Sequence, residues 1–373
     1  MVKVSAPGKL FLSGEWAVLE VGNPGIVTAV NKRVFAEVRE AERISVSIDD
    51  FGIKNLGAAF DGNRLEWERP LTDKEKEQVQ FIKGSIETAL KYLGGGAANK
   101  TFSIRSWGEE SQIVVDGAAR KIGFGSSAAS VVAVIAGILA LNGHEMGSKE
   151  ARDRIYKLSA IAHYFAQGKV GSAFDVAAST YGGVFVYKRF DPKWLMDELN
   201  SGAGVRDVAD QEWPAFMAEP LDIPGGFRLL VGWTKESAST SAMVKQLDAW
   251  AATNREDYKR LYDSIANLVR KLIPAWKDKN KEMILELVRK NEDYLRELGQ
   301  ASGVNIETPD LKMLSDAANN AGGAGKLSGA GGGDCGIAVC FDSATAKGVK
   351  KAWEKAGLYM VDATIDCDGV RAE

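Results

Sequence analysis

Apolar and polar residues alternate over much of the first fifty positions, a pattern that predicts half-buried β-strands. Residues 2–6 (VKVSA) predict a short strand, and residues 7–16 (PGKLFLSGEW) predict a loop. Further strands rich in Val and Ile are predicted at 25–40 and 43–48, and the stretches 100–107 and 111–115 predict a hairpin.

Apolar residues recur at helical spacing in several longer segments. Residues 73–93 predict a helix, which ends before three glycines. Ser148 is placed to cap a second helix, which runs to about Gln167. The longest apolar stretch, 128–141, is shorter than the roughly 20 residues that cross a bilayer, so it predicts a buried helix. Other helices are predicted at about 173–181, 240–251, 254–272, 279–299 and 309–320, and other strands at 183–190, 227–233 and after the glycine-rich residues 329–336.

The chain of 373 residues is long enough for two domains. Residues 200–225 contain Gly, Pro and acidic residues without periodicity and predict the boundary, with domains at 1–222 and 223–373. The composition is 45% hydrophobic and 26% charged, and the net charge of −3 gives no general attraction to nucleic acid or to an anionic membrane. We therefore expect neither partner, and any binding of phosphate must be local.

Three cysteines, Cys335, Cys340 and Cys367, occur without a Cys-x-x-Cys pair. This argues against a disulfide framework and against structural zinc, and it favours reduced thiols. Residues 1–16 contain no apolar segment of the signal-peptide type. We expect a cytoplasmic protein that is a monomer or a homodimer.

The stretch 123–130 (GFGSSAAS) places two glycines and two serines directly before the predicted buried helix. The start of a helix offers unpaired N–H groups and a partial positive charge, which bind phosphate. Gly123 and Gly125 let a phosphate approach the backbone closely. Ser126 and Ser127 can cap the helix, or their hydroxyls can bind phosphate or Mg²⁺. The apolar helix behind them would fix the direction of the N–H groups.

Two other interpretations of this stretch exist: a tight turn with a helix cap, and a Gly-x-Gly-x-x-Ala dinucleotide fingerprint. The fingerprint should follow an apolar strand, whereas residues 116–122 (DGAARKI) are mostly polar. The sequence contains no Walker A loop. The most similar segment, 320–327 (NAGGAGKL), has Asn320 in place of the first Gly and Leu327 in place of Ser or Thr. A cradle for a nucleoside triphosphate is the interpretation that we favour.

Three motifs, in this order, resemble those of the GHMP kinase superfamily, which includes galactokinase, homoserine kinase and mevalonate-pathway kinases. They are residues 6–19 (APGKLFLSGEWAVL), 123–130 and 328–336 (SGAGGGDCG). The resemblance covers essentially the whole chain, with Phe124 in place of the usual Leu and Ala173 in place of a common Gly. It implies an α+β fold with an N-terminal α/β sandwich containing a twisted sheet and a C-terminal ferredoxin-like domain. ATP and the acceptor would meet in the cleft between them.

Three further segments narrow the acceptor that the resemblance implies. Residues 162–183, 187–195 and 231–244 are similar to those of family members that act on phosphomevalonate. The implied reaction is ATP-dependent phosphorylation of (R)-5-phosphomevalonate to the 5-diphosphate. Mevalonate or another small molecule as acceptor, a decarboxylase of the same fold and a non-catalytic ligand sensor are the alternatives.

Asp175 is the first candidate for chemistry. It follows a glycine break and begins a helix, where an aspartate also favours the helix dipole. By resemblance it is the catalytic aspartate, which accepts or orients the acceptor's proton and binds Mg²⁺. Lys9 reads as an exposed loop lysine on the residues alone. By resemblance it is the catalytic lysine that balances negative charge beside Asp175.

The resemblance also implies which residues bind ATP, Mg²⁺ and the acceptor. Mg²⁺ would be bound by Ser127 and Asp175, with no other acid between residues 155 and 175. His163 could equally be a core histidine, and Lys169 is the best-placed cation for an acceptor phosphate. The implied ATP-binding residues are Gly123, Gly125, Ser126, Ser127 and Ala128; the implied acceptor-binding residues are Ser13, Glu15, His163, Gln167, Lys169, Ser172, Ser328, Gly329, Ala330 and Gly331.

Two supporting assignments complete the prediction. Asp334 and Cys335 are expected to support the third glycine loop rather than to act in catalysis. Trp107 is a candidate neighbour of the adenine, although a tryptophan packed at the surface is the simpler interpretation.

Overall fold

Two large β-sheets with helices packed on them build most of the structure. The structure is a computed structural model, and it describes residues 1–95, 100–109, 112–115, 118–236 and 240–373. The strands are β1 (Val2–Ser13), β2 (Gly25–Glu40), β3 (Ile44–Ile48), β4 (Ile53–Phe60), β5 (Leu65–Trp67), β6 (Phe102–Gly108), β7 (Gln112–Val115), β8 (Ala118–Lys121), β9 (Val184–Lys188), β10 (Met217–Leu221), β11 (Arg228–Trp233), β12 (Ala324–Leu327), β13 (Cys335–Cys340), β14 (Tyr359–Val361) and β15 (Arg371–Ala372). The helices are α1 (Asp73–Leu93), α2 (Ser126–Leu141), α3 (Lys149–Ala166), α4 (Phe174–Tyr181), α5 (Pro192–Asn200), α6 (Val205–Asp210), α7 (Thr240–Thr253), α8 (Arg255–Lys277), α9 (Lys281–Ser302), α10 (Pro309–Asn320) and α11 (Ser343–Lys355). The predicted α+β class is confirmed.

Strand β1 continues through residue 13, so the predicted loop at 7–16 is wrong for most of its length. β1 pairs with β2, with irregularities between Pro7 and Gly8 and between Phe11 and Ser13. A bulge lets a strand pass a proline, which has no N–H to donate, and it redirects the residues that follow. The first irregularity, between Pro7 and Gly8, therefore redirects the strand just before Lys9.

The first sheet has the strand order β10-β9-β2-β6-β3-β4-β5, with β1 beside β2. The predicted hairpin between 100–107 and 111–115 is wrong, because β6 pairs with β2 and β3 whereas β7 pairs with β8. Residue 111 of that prediction lies outside the described residues. Alternation along the chain predicted that these segments are strands, but it carries no information about which strands they pair with.

Helix α2 lies against β1 and β2 and is surrounded by α1, α3 and α4. Its apolar side chains are buried, as its composition predicted. Helix α1 begins and ends as predicted, because Thr72 and Glu75 form a capping box and Gly94 follows the last turn. Ser148 caps α3 by accepting a hydrogen bond from the amide of Ala151 at 3.1 Å.

The second sheet is antiparallel in the order β12-β13-β11-β14. Helices α7 to α10 connect β11 to β12, and α11 connects β13 to β14. This is the β-α-β-β-α-β arrangement of a ferredoxin-like domain, with additional helices in the first connection. The predicted C-terminal fold is confirmed.

The two halves of the chain pack on each other through a shared core. Leu10 and Leu12 of β1 belong to the same hydrophobic cluster as Trp233 and Trp276 of the second half. The end of the chain returns to the first sheet, where β15 pairs with β1. The division into 1–222 and 223–373 stays a prediction.

None of the helices in the described ranges combines the length and the apolar character that crossing a bilayer requires. Cys335 and Cys340 are buried free thiols, and Cys367 is an exposed free thiol.

A buried polar cluster joins α9 to β12. The Glu292 carboxyl, 1% exposed, is within hydrogen-bond distance of the Ser315 hydroxyl (2.8 Å) and the Leu327 amide (2.9 Å). Burial raises the pKa of Glu292 to about 8, although the neighbouring Lys326 ammonium and the two hydrogen bonds oppose this rise. The carboxyl therefore keeps its proton in the folded protein at neutral pH.

This proton predicts how stability depends on pH. An unfolded glutamate loses its proton near pH 4.5, whereas folded Glu292 loses it near pH 8. The folded state therefore binds one more proton between these values, and this contribution to the free energy of unfolding decreases as pH rises, by up to about 1.4 kcal/mol per unit. We expect Glu292→Gln to flatten the decrease between pH 6 and 8 in denaturant titrations.

Glu286→Gln, on the exposed side of the same helix, is the matched control and should keep the wild-type slope. Equal slopes in wild type and Glu292→Gln would contradict the assignment.

Candidate active site

A cavity of about 320 Å³ lies between the two halves of the chain, where the three glycine-containing motifs meet. It collects residues that are far apart in sequence. The predicted site residues that line it are Lys9, Gly123, Gly125, Ser126, Ser127, Gln167, Ser172, Asp175, Ser328, Gly329, Ala330 and Gly331. Among the described residues that line the cavity, Lys9 carries the one basic side chain.

Gly125 is the residue that opens helix α2 toward the cavity. Its φ of 75° lies in the left-handed region, and it forms the N-cap without any side-chain cap. The prediction that a serine caps this helix is therefore wrong: Ser126 and Ser127 occupy the first two helical positions. Ala128 follows with its side chain buried. Without a capping side chain, the first-turn N–H groups are left to face a ligand.

Lys9 reaches this loop from strand β1. Its ammonium donates a hydrogen bond of 2.7 Å to the carbonyl of Gly123, and its amide donates one of 2.9 Å to the carbonyl of Phe124. A Cβ atom on Gly125 would lie 3.0 Å from Cγ of Lys9 and 3.6 Å from Cβ of Asp175. The absence of a side chain at Gly125 thus lets both Lys9 and Asp175 lie close against the loop.

Asp175 lies in the first turn of α4, and its side chain is 18% exposed. Its Oδ1 accepts a hydrogen bond of 2.9 Å from the amide of Val176. The N-cap of this helix, Ala173, has φ of 56°, a left-handed conformation that costs a non-glycine residue free energy. This conformation accounts for the glycine that is common at this place in the resembling family.

His163 lies behind the cavity wall rather than in the cavity. It is 2% exposed and stacks on Phe81. Its Nε2 lies 3.4 Å from Oγ of Ser127 and 3.9 Å from Oδ2 of Asp175. Burial lowers the pKa of the imidazole, although Asp175 opposes this shift. In place of the predicted contact with the acceptor, His163 contacts the two residues predicted to bind the metal.

The third glycine loop is fastened to both other motifs. The Ser328 hydroxyl donates to the carbonyl of Phe11 and accepts from its amide, at 3.0 and 2.8 Å. Asp334 Oδ1 accepts from the amide of Gly123 at 2.8 Å, which ties the third glycine loop to the second motif, and the supporting role of Asp334 stays a prediction. Burial raises the pKa of the Asp334 carboxyl, while Lys9 and the Gly123 amide lower it. Gly331 needs to be glycine, because a Cβ there would lie 2.1 Å from the carbonyl oxygen of Ile306.

Besides His163, three residues predicted to bind the acceptor do not line the cavity: Ser13, Glu15 and Lys169. Ala128, predicted to bind ATP, does not line it either. Glu15 is buried in an ion pair with Lys326, and Ser13 donates a hydrogen bond to Asn291. These groups are occupied inside the protein, which corrects the expectation that they face a ligand. Lys169 is exposed, with its ammonium 5.3 Å from the ring centre of Phe165.

Thr240 lines the cavity at the start of α7, and it was not among the predicted site residues. It lies in the resembling segment 231–244, whose residues 237–239 are outside the described part of the chain. A hydroxyl residue before an apolar helix was the available signal.

A second, apolar cavity of about 230 Å³ adjoins the first at Ser126 and Ser127. Its walls come from β2, β3, the 3-10 turn at residues 49–51, α1, β6 and α2, so no single sequence motif could reveal it. They include Val34, Ile48, Phe51, Phe81, Ile82, Ser106 and Ser130. Trp107, the candidate adenine neighbour, stacks on Phe35 and does not line this cavity.

Comparison with known proteins places these features in a family. The models of the GHMP kinases N terminal domain and the GHMP kinases C terminal domain match residues 80–183 and 251–358. The phosphomevalonate kinase of Streptomyces sp. is 32% identical over 374 residues, 98% of this chain and 97% of that protein. The mevalonate kinase of Pyrococcus abyssi is 29% identical over 100% of this chain and 98% of its own. The structure of Streptococcus pneumoniae phosphomevalonate kinase in complex with phosphomevalonate and AMPPNP has a TM-score of 0.80 and 26% identity, covering 98% of this chain and 100% of that one.

The position of Gly125 yields a prediction. Gly125→Ala should lower the free energy of unfolding by about 1–2 kcal/mol because of its left-handed backbone. It should also push Lys9 aside and weaken binding of a non-hydrolysable ATP analogue at least about tenfold, as measured by calorimetry.

Gly143→Ala is the matched control, because Gly143 also has positive φ (85°) but a Cβ there meets nothing within 4 Å. It should lose stability and keep the analogue affinity. Equal affinity of both variants would show that contact with Lys9 is unimportant.

Proposed function

The chain belongs to the GHMP kinase family, and we propose that it transfers the γ-phosphoryl group of ATP to (R)-5-phosphomevalonate, forming the 5-diphosphate and ADP. The observation that carries the mechanism is the meeting of the α2 start, Lys9 and Asp175 in one cavity. The acceptor rests on full-length similarity to phosphomevalonate kinases.

The reaction is a substitution at phosphorus. An oxygen of the acceptor's phosphate forms a bond to the γ-phosphorus, the bond to the β–γ bridging oxygen breaks, and ADP leaves with that electron pair. A phosphomonoester has a second pKa near 6 and is largely a dianion at neutral pH. The nucleophile therefore needs little proton removal, and the main task of the site is to hold two anions together.

Lys9 carries most of this task in our proposal. Its ammonium is held by the Gly123 carbonyl at the edge of the α2 loop, where it can balance charge that moves from the γ-phosphoryl group to the leaving oxygen. Asp175 takes the remaining proton of a monoanionic acceptor and positions the reacting groups. Lys169, whose ammonium is exposed and does not line the cavity, remains the candidate for the acceptor's own phosphate on sequence resemblance alone.

The chain's residues fit a magnesium ion held mainly by the nucleotide. Ser127 and Asp175 both line the cavity and offer oxygen ligands, which Mg²⁺ prefers. The described residues contain no group of three or more His, Cys, Asp or Glu placed to hold a metal alone. When bound, the ion would neutralise phosphate charge, with most of its ligands from phosphates and water.

The apolar cavity is the proposed place of the adenine. It meets the phosphate-binding cavity at Ser126 and Ser127, so one nucleotide can extend through both. Its walls combine apolar side chains with serine hydroxyls and with Asp50, Glu77 and Gln78, and apolar walls with a small number of polar groups suit an aromatic base that carries hydrogen-bonding atoms. The buried free thiols of Cys335 and Cys340 support a cytoplasmic enzyme, and a monomer or homodimer remains the predicted state.

The acceptor panel tests the proposed function. Purified chain with Mg-ATP should release ADP with phosphomevalonate and be much slower with mevalonate, galactose or homoserine, and it should release no CO₂ from diphosphomevalonate. Faster turnover of mevalonate would support the mevalonate kinase alternative and reject the assignment.

Variants in the same assay test the mechanism. Lys9→Met should lose about 10²–10³ in kcat, the cost of removing a charge-stabilising group, and Asp175→Asn should lose less. Lys54→Met, an exposed lysine on β4, should keep the wild-type rate.

The adenine assignment has its own test. Ser130→Leu would fill part of the apolar cavity and should raise KM for ATP by about tenfold or more, while KM for the acceptor stays near wild type. Ser130→Ala, which adds no volume, is the control. An unchanged KM for ATP in the leucine variant would place the base elsewhere.

A further inference from the structure

A buried ion pair outside the cavity connects the first motif to β12, the strand that leads into the third motif. Lys326 of β12 is 0% exposed and Glu15, shortly after β1, is 1% exposed. The Lys326 ammonium donates hydrogen bonds to the carboxylate of Glu15 and to the carbonyl of Leu327. Lys326 is the lysine of residues 320–327, the segment whose sequence is most similar to a Walker A loop. The ion pair with Glu15 engages its ammonium, so it is not available to a phosphate.

Helix α9 holds the Glu15 side of the pair in place. Asn291, 0% exposed, donates from Nδ2 to the other Glu15 carboxylate oxygen at 3.4 Å. Its Oδ1 accepts from the amide of Gly14 at 3.0 Å and from the hydroxyl of Ser13. The segment that follows β1 is thereby fixed against the second half of the chain by directional bonds.

Both ends of the ion pair lie next to residues that the proposed function uses. Glu15 follows β1, which carries Lys9, and Lys326 is two residues before Ser328, where the third glycine loop begins. Ser328 itself bonds to both backbone groups of Phe11. The third loop is therefore tied to β1 at residue 11, and the strand that leads into the loop is tied to residue 15, just after β1.

A buried ion pair is a weak source of stability, because removing two charges from water costs about as much as their attraction returns. Its directional bonds do, however, specify one relative placement of the groups that it joins. We propose that Glu15 and Lys326 are positioning residues for phosphoryl transfer, whose ion pair sets the placement of the loop 328–331 relative to Lys9. This inference rests on the proposed function, since it assumes that Lys9 and this loop act on the same transferring group.

The test separates positioning from stability. Glu15→Gln and Lys326→Met each leave one buried charge unpaired, and both should lower the denaturation midpoint. The double variant Glu15→Gln/Lys326→Met removes both charges and should recover much of that midpoint. Its kcat with phosphomevalonate should nevertheless stay about 100-fold low, the cost of a displacement of about 1 Å at a reacting centre. Affinity for an ATP analogue should remain within about threefold of wild type, because helix α2, whose start faces the phosphates, packs on β1 and β2 of the first half.

The Arg33–Asp366 ion pair supplies the matched control. It too is buried and joins the two halves, but it does not adjoin the third glycine loop. Asp366→Asn should lower the denaturation midpoint and leave kcat unchanged. Glu15→Asp keeps the charge and shortens the side chain by one methylene, so it should lower kcat while retaining most of the stability. If the double variant does not fold, this variant tests the positioning role instead.

A double variant with wild-type kcat would overturn the inference, as would equal losses of kcat and analogue affinity. Either result requires an active wild-type chain. A wild-type chain that fails to phosphorylate phosphomevalonate would overturn the proposed function instead.

Discussion

Strand β1 has to satisfy two hydrophobic cores and the cavity at the same time, and the geometry of the site depends on this. Phe11 packs into the core of the first half, whereas Leu10 and Leu12 pack into the core shared with the second half. A shift by one residue would exchange the two faces of this strand, moving Phe11 into the shared core and Leu10 and Leu12 into the core of the first half, where the packing no longer matches. Lys9 is therefore held in register by its neighbours, and its ammonium reaches the α2 loop from a rigid element.

Local chemistry explains which parts of the fold could be predicted. Helix α1 has a capping box at one end and glycines at the other, so its limits are encoded within its own residues. The strand pairing of β6 is not encoded locally, because its partners β2 and β3 are chosen by packing across the sheet. Pro7 and Gly8 suggested a loop because their usual conformations break strands. Here a bulge absorbs them, and burial of Leu10 and Leu12 continues the strand.

The same distinction applies to the site. Gly125 could be located because it lies in a motif whose short spacing fixes its local geometry, whereas Lys9 and Asp175 were indicated by the family resemblance and not by their own spacing. Glu15 lies in such a motif too, but its partner Lys326 is 311 residues away, so no spacing could indicate that the carboxylate is occupied. The apolar cavity was equally invisible, because its walls come from six separate segments of the chain.

Charge balance explains why a site for two phosphorylated substrates contains so few cations. Lys9 is the one basic side chain among the described residues of the cavity wall, where two carboxylates also lie. Burying several lysines together would cost desolvation and mutual repulsion before any substrate bound. Backbone N–H groups at a helix start carry partial charges that are already oriented, and they add no net charge to the empty cavity. Such groups work only while their direction is fixed, so the apolar packing of α2 is a requirement of the chemistry as much as of the fold.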